Sequence, residues 1–314
     1  MYKNFSTIIN PEVFNPYLEK RIKEISPLFK GNILETGSFF DNLAQNSSSV
    51  TKMPYFADLY GNDDVLSSDT TLAPVVVPAE KQDTAVLLTR GKAWSQRDMQ
   101  IELSSNDPVK SIGNVTAEFW SDKIQNTFQS ILKGIFAVPS MSTKIHDISS
   151  QSAEKAIISC DTFIEAMEKM GDAKDNITAV LMHSAVEAQL EKNNLIKTIS
   201  ENGEIKKYFM GKFIITDDNC PYSVDKYTTY LIGKNAFAYG NASLENRCET
   251  LRDGLSGNDI LITRKHYIMH PRGVKWTGAA SAISPSNTEL ENQKNWAKVY
   301  DDKSIRIVKF VHKI

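Results

Sequence analysis

The sequence predicts an α+β fold built around one long helix, and three features carry that expectation. An apolar stripe opens at Asp107-Pro108 and holds a single helical face to about Phe136. From Cys160 onward short strands and short helices alternate, as in an α+β or α/β core. Ahead of residue 107 the chain is largely extended, polar and broken by prolines.

The first predicted element is a helix over residues 11–30, where Val13, Phe14, Tyr17, Leu18, Ile22 and Ile25 recur at three- and four-residue spacing. Residues 31–52 are rich in Ser, Asn and Gly, and brief extended stretches follow at 54–60, 72–77 and 84–89. Such a region holds too little apolar surface to offset its ordering entropy and is expected to borrow a partner. Asp is a preferred N-cap and Pro a preferred first helical residue, so the long helix starts at residue 107. At 1.5 Å per residue it forms a rod of about 40 Å. Val109, Ile112, Thr116, Phe119, Trp120, Ile124, Phe128, Ile131, Leu132 and Ile135 share its stripe, with Ser121, Asp122, Gln125 and Gln129 opposite.

Beyond it the pattern predicts a helix over 160–169 ended by Gly171, a strand over 177–182, and a helix N-capped by Ser184 in a capping box with Glu187. Strands are expected at 209–215, 228–232, 236–239 and 259–268. A capping box at Thr288-Glu289-Leu290-Glu291 predicts a helix through Trp296 toward Val299, before a last strand over 304–311.

Composition bounds the function. A net charge of -2 from 36 basic and 38 acidic residues lacks the positive field of a tight nucleic-acid binder, so any DNA contact is expected to be weak per subunit. No apolar run approaches the roughly 20 residues of a membrane span, and residues 1–10 lack a signal-like apolar core, which predicts a cytosolic protein. Cys160, Cys220 and Cys248 are odd in number and far apart, with no CxxC pair, and read as buried or half-buried thiols.

The catalytic temptations each have a plainer account. Ser184 serves as a cap and has no GxSxG elbow around it, and His183 reads as a structural histidine at a strand end. His266 and His270 fall in a strand, where positions four apart lie about 13 Å apart and cannot grip one metal ion. Asp217-Asp218 lacks the alternating ligands of a calcium loop and reads as a turn before Pro221. Gly254-Leu255-Ser256-Gly257 reads as a connection rather than an anion cradle. No catalytic, cofactor or metal residue is assigned. Trp120 and Trp296 read as core, whereas Trp94, amid Arg90, Lys92 and Arg97, fits either an anchor against another subunit or packing within the chain.

Several blocks in one order resemble the major capsid proteins of tailed bacteriophages. They are Ala93-Trp94-Ser95-Gln96-Arg97-Asp98, Asn106-Asp107-Pro108-Val109, the helix bearing Glu118-Phe119-Trp120, Met182-His183-Ser184, Gly211 to Asp218 before Pro221, His270-Pro271-Arg272-Gly273 with Trp276, and Asn295-Trp296. The similarity spans roughly Leu34 to His312. It implies the tailed-phage capsid fold: an N-terminal arm (1–52), an extended β-hairpin loop (53–106), a spine helix (107–138) of the peripheral domain, an axial domain (139–264) and a return into the peripheral domain (265–314). It further implies self-assembly as hexamers and pentamers into an icosahedral virion shell around double-stranded DNA, built in the host bacterial cytoplasm. The implied partners are a separate scaffolding protein, a portal protein at one vertex and non-specifically packaged DNA, with no membrane and no cofactor; a cement protein is left open. Arg90, Lys92, Trp94 and Arg97 become candidates for intersubunit contact, and Lys20, Lys23 and Lys123 for facing DNA. The rival readings are an encapsulin-like compartment shell and a hydrolase using His183 or Asp217 and Asp218.

Overall fold

The computed structural model describes residues 9–45, 50–55, 81–95, 108–152, 154–201, 203–243, 247–253, 258–278 and 283–314. In chain order these form α1 (Pro11–Ile25), α2 (Pro27–Lys30), β1 (Leu34–Thr36), α3 (Ser38–Ala44), β2 (Val50–Tyr55), β3 (Lys81–Ser95) and the spine helix α4 (Pro108–Phe136). A 3-10 turn at Pro139–Lys144 then leads to β4 (Ile145–Asp147), α5 (Cys160–Met167), β5 (Ile177–Met182), α6 (Ser184–Lys192), β6 (Ile196–Glu201), β7 (Glu204–Phe209) and β8 (Lys212–Thr216). The remaining elements are β9 (Tyr222–Ser223), β10 (Lys226–Gly233), β11 (Phe237–Asn241), β12 (Cys248–Asp253), β13 (Asn258–Pro271), β14 (Val274–Trp276), α7 (Asn287–Leu290), β15 (Trp296–Lys298) and β16 (Ile307–His312).

Two sheets enclose the spine helix. In the first, the order is β1-β11-β13-β3-β2, and β12 pairs with β13 beyond the end of β11. The 14-residue β13 is its axis, flanked by β3 on one edge and by β12 and β11 in succession on the other. One face of this sheet, with Val86, Leu88, Leu261, Tyr267 and Met269, joins the core around α4. Its other face, with Ala85, Leu87, Ala238 and Ile268, is covered by Phe40 and Ala44 of α3. Gly240 permits that approach, since a Cβ there would meet the Phe40 carbonyl at 2.1 Å.

The second sheet runs β4-β16-β10-β5-β8-β7-β6, with β9 on β10. Along β5, Ala179 and Leu181 face the spine helix, whereas Val180 and Met182 face Phe163 of α5 and Val186 and Leu190 of α6. Burial on both faces explains why this strand is apolar without a break from Ala179 to Met182 instead of alternating.

The spine helix begins and ends as its stripe predicts, but it is enclosed more fully. Ser121 and Gln129, expected on the polar face, are buried. Gln129 donates from Nε2 to Asp217 Oδ2 at 3.1 Å, which gives its buried amide nitrogen a partner.

Other expectations are corrected. The first helix breaks at Ser26, held in extended backbone (ψ 123) because it precedes Pro27. The strand expected over 209–215 is a hairpin, β7 and β8, turning at Met210 and Gly211 with φ of 48° and 78°. The helix expected from Thr288 to Val299 is the four-residue α7, capped by Ser286 and Glu289 and followed by a 3-10 turn and β15. The cap of α6 is His183, not Ser184. Residues 237–241, 248–253 and 258–264, expected with the segment that starts at 139, pair as β11, β12 and the first half of β13 with the first sheet. The early region also buries its own surface: Phe14, Leu18 and Ile22 of α1 lie in the spine-helix core, and the expected strand at 84–89 is the buried middle of β3. The expected strand at 72–77, most of that at 54–60, the Asp107 cap and the Gly254 to Gly257 connection lie outside the described residues.

Candidate functional site: the hairpin strand against the spine helix

β3 brings several sequence-selected residues to the outer side of α4. Trp94 is half-buried and meets Phe119 edge to face at 5.1 Å, so packing within the chain accounts for one side of its ring. Lys123 Nζ lies 5.3 Å from the centre of the Phe119 ring. Beneath them Trp120 is buried and donates from Nε1 to Thr263 Oγ1 at 3.0 Å. A concavity of about 640 Å³ opens here, lined by Arg90, Lys92, Phe119, Lys123, Ser286 and Glu289 among others.

The cations along this concavity differ in use. Arg90 donates to Ser284 Oγ at 2.8 Å and to the Pro285 carbonyl at 2.6 Å, so its guanidinium ties β3 to the loop before α7. Lys92 and Lys123 are exposed, and neither has a carboxylate partner among the described residues. Arg97 lies outside the described residues. Lys20 and Lys23 sit apart on α1, exposed, with Lys20 3.9 Å from Glu24. Arg90, Lys92, Trp94 and Lys123 are therefore brought to one face, and Lys20 and Lys23 belong to another element.

The root of the β2–β3 hairpin carries a buried polar contact that sequence reasoning missed. His270 Nε2 and Asp83 Oδ1 are 2.9 Å apart, with the side chains 1% and 2% exposed, joining β3 to β13. A second buried group joins α1 to β13: Lys265 Nζ lies 2.6 Å from Glu19 Oε1, with Arg247 Nη1 3.7 Å away. Burial alone would raise the Glu19 pKa, but Lys265 and Arg247 hold its carboxyl below the ordinary carboxylate range. Both contacts had a signal, a charged or polar residue at an inward position of an alternating strand, which must find a partner.

The serine, histidine and aspartate suspected of catalysis do meet. His183 Nδ1 accepts the Ala185 amide at 3.0 Å, and its Nε2 lies 3.9 Å from Asp218 Oδ1. Asp218 accepts the Ser184 amide at 3.3 Å, and its hydrogen bonds to Ser184 hold its pKa below the usual value. In nucleophilic catalysis a ring nitrogen must be free to take the hydroxyl proton; here one nitrogen is bonded to backbone and the other faces the carboxylate. Asp217 accepts the Asn219 amide at 2.9 Å in the turn expected there.

A spine helix enclosed by two sheets, with a hairpin strand built into its core, is the fold of tailed-phage capsid subunits. The capsid of Ralstonia phage GP4 superposes with a TM-score of 0.54 at 8% identity, covering 92% of this chain and 91% of that one. The procapsid of satellite phage P4, including its size determination (Sid) protein, gives 0.53 at 8% identity over 98% and 92%. Residues 93–305 match the Gp13-like family of major capsid proteins. The major capsid protein of Bacillus phage SPP1 is 38% identical over 323 residues, spanning 100% of this chain and 99% of that protein. The chain belongs to the Gp13-like major capsid protein family, and it is the shell-forming structural protein of a tailed-phage virion.

Proposed function

We propose that the chain assembles as hexamers and pentamers into a closed icosahedral shell around double-stranded DNA, in the cytoplasm of a host bacterium. A separate scaffolding protein guides closure, a portal protein occupies one vertex, and the subunit performs no catalysis. The full-length 38% identity to a phage major capsid protein carries this reading. The P4 procapsid, which includes a size determination protein, supports a dedicated assembly partner. In this reading α4 and the first sheet form the peripheral domain and the second sheet the axial domain, with residues 237–264 counted with the former. The β2–β3 hairpin reaches a neighbouring subunit, with Trp94, Lys92, Arg90 and Arg97 at the contact. Lys20, Lys23 and Lys123 meet packaged DNA weakly and without sequence preference.

Electron microscopy of the chain co-expressed with its scaffold tests the assembly, and the content of native particles tests the cargo. Closed shells containing DNA are expected; shells loaded with an enzyme would favour a compartment protein instead. Sequence-selective nanomolar binding of duplex DNA by the free subunit at physiological salt would overturn the weak-contact reading.

A further inference from the structure

A cavity of about 470 Å³ lies where the two sheets meet. The first sheet supplies Glu35 from β1 and Arg272 from the turn after β13; the second supplies Asn176 ahead of β5 and Arg306 ahead of β16. Lys303 and Ser304 close it from the segment between β15 and β16. Backbone hydrogen bonds fix this frame. The Gly233 amide donates to the Arg306 carbonyl at 2.8 Å, the Lys234 amide to the Asn176 carbonyl at 2.9 Å, and the Arg272 amide to the Ala236 carbonyl at 2.9 Å. The backbones that carry Arg272 and Arg306 are thus set before anything binds, which lowers the ordering cost of a ligand.

The lining is rich in donors. Arg272, Lys303 and Arg306 stand against a single carboxylate, Glu35, so three cations less one anion leave two positive charges on the lining side chains. Glu35 takes only part of the Arg272 guanidinium, whose Nε is buried and has no hydrogen-bond partner among the described residues. Arg306 uses Nη1 on the Lys234 carbonyl at 3.0 Å and has no carboxylate partner among the described residues. Lys303 meets Asp172 in a bridge whose side chains are 74% and 72% exposed, a contact that contributes little and that a second anion can replace. Leaving a buried donor unmet is costly, and an oxyanion acceptor removes that cost. The charge selects the anion. A carboxylate or a backbone phosphodiester carries one negative charge, whereas a terminal phosphate carries about two at neutral pH, and planar guanidinium forks match its oxygens. The cavity's volume lies within the range of small-molecule sites, about 300–1,000 Å³. We propose that it binds a small molecule bearing a terminal phosphate, the dianion bridging Arg272 of the first sheet and Arg306 of the second with Lys303 beside it.

Calorimetric titration of the full-length chain with pyrophosphate, at constant ionic strength, tests it. Saturable binding of one pyrophosphate per chain is expected. Lys303→Gln with Arg306→Gln should weaken it about tenfold. Lys192→Gln with Lys197→Gln, which removes two exposed charges at the end of α6 and on β6, should leave it unchanged. Glu35→Gln removes the competing carboxylate and should tighten binding about threefold. That gain of affinity keeps the test decisive if the Lys303 and Arg306 double variant fails to fold by circular dichroism. Absence of saturable binding would overturn the site. Equal weakening by the two double variants would overturn it too, because the cations would then act as a diffuse field. Unchanged or weaker binding by folded Glu35→Gln would place the anion outside this cavity. Displacement of pyrophosphate by a duplex oligonucleotide without terminal phosphates, at equal phosphate concentration, would make the occupant a backbone diester and overturn the dianion assignment.

Discussion

Lys265 stands at an inward position of β13, 3% exposed, and its ammonium is retained there only because Glu19 reaches it from α1. Removing one member of such a pair strands the other, at a cost of about 3 kcal/mol, whereas replacing both with apolar groups is often neutral. Glu19→Gln is therefore expected to destabilise the subunit by about that amount in urea titrations, and Glu19→Leu with Lys265→Met to recover most of it. His312 poses the opposite case. Burial pushes its pKa down to about 4, and its Nε2 lies 2.8 Å from Thr229 Oγ1. The unfolded chain then binds the proton more readily, so the stability this residue contributes is intact above about pH 6.5 and declines as pH falls toward 4. The whole interval is worth roughly 3 kcal/mol. His312→Asn should flatten the loss of stability between those pH values; an unchanged profile would show that another group governs it.

Helices with strong periodicity and defined starts were legible in the sequence, and short elements governed by distant contacts were not. The spine helix carries its own stripe and proline start, so its bounds follow from residues within it. The segment after Thr288 has helical periodicity too, but Trp296 donates from Nε1 to the Leu290 carbonyl at 2.7 Å, and β15 pairs with β14 across Trp276 and Trp296. Tertiary pairing there overrides a local preference. His183 replaced Ser184 as a cap because a ring nitrogen can accept an amide as a hydroxyl does, an option that the preferred-residue pattern does not encode. Of the candidate site, the grouping of Arg90, Lys92 and Trp94 was legible from their nearness in sequence, and the arrival of Lys123 and Ser284 required the fold. One close approach between elements gives a sharp test. A Cβ at Gly134 of α4 would lie 2.0 Å from the Leu290 carbonyl, at the point where α7 crosses the spine. Gly134→Ala should gain helix propensity yet lose about 2 kcal/mol through the forced separation. Equal or raised stability in thermal unfolding would show that α7 yields instead.

What removing the hairpin should do follows from where β3 lies. β3 lies between β13 and β2, with Ala85, Val86, Leu87 and Leu88 buried, so it is part of the core as well as the base of the excursion. Deleting residues 81–97 should therefore abolish cooperative unfolding, because the first sheet loses its longest ladder, between β3 and β13, and the spine helix loses one wall. Deleting residues 58–78 spares both paired strands, and should leave a folded subunit, by circular dichroism, that fails to close into shells in micrographs. A folded product from the first deletion would mean that the second sheet and α4 stand alone.

The Asp83–His270 contact at that base has a mechanical meaning. A beam hinged at its support can swing to meet whatever lies opposite; a beam set into masonry cannot. With the hairpin ladder continuous into β13 and a buried ionisable pair pinning its foot, the support is of the second kind. In the shell proposed above, differences in curvature between one neighbour and the next would then be met by tilting the entire subunit, while the foot keeps its angle.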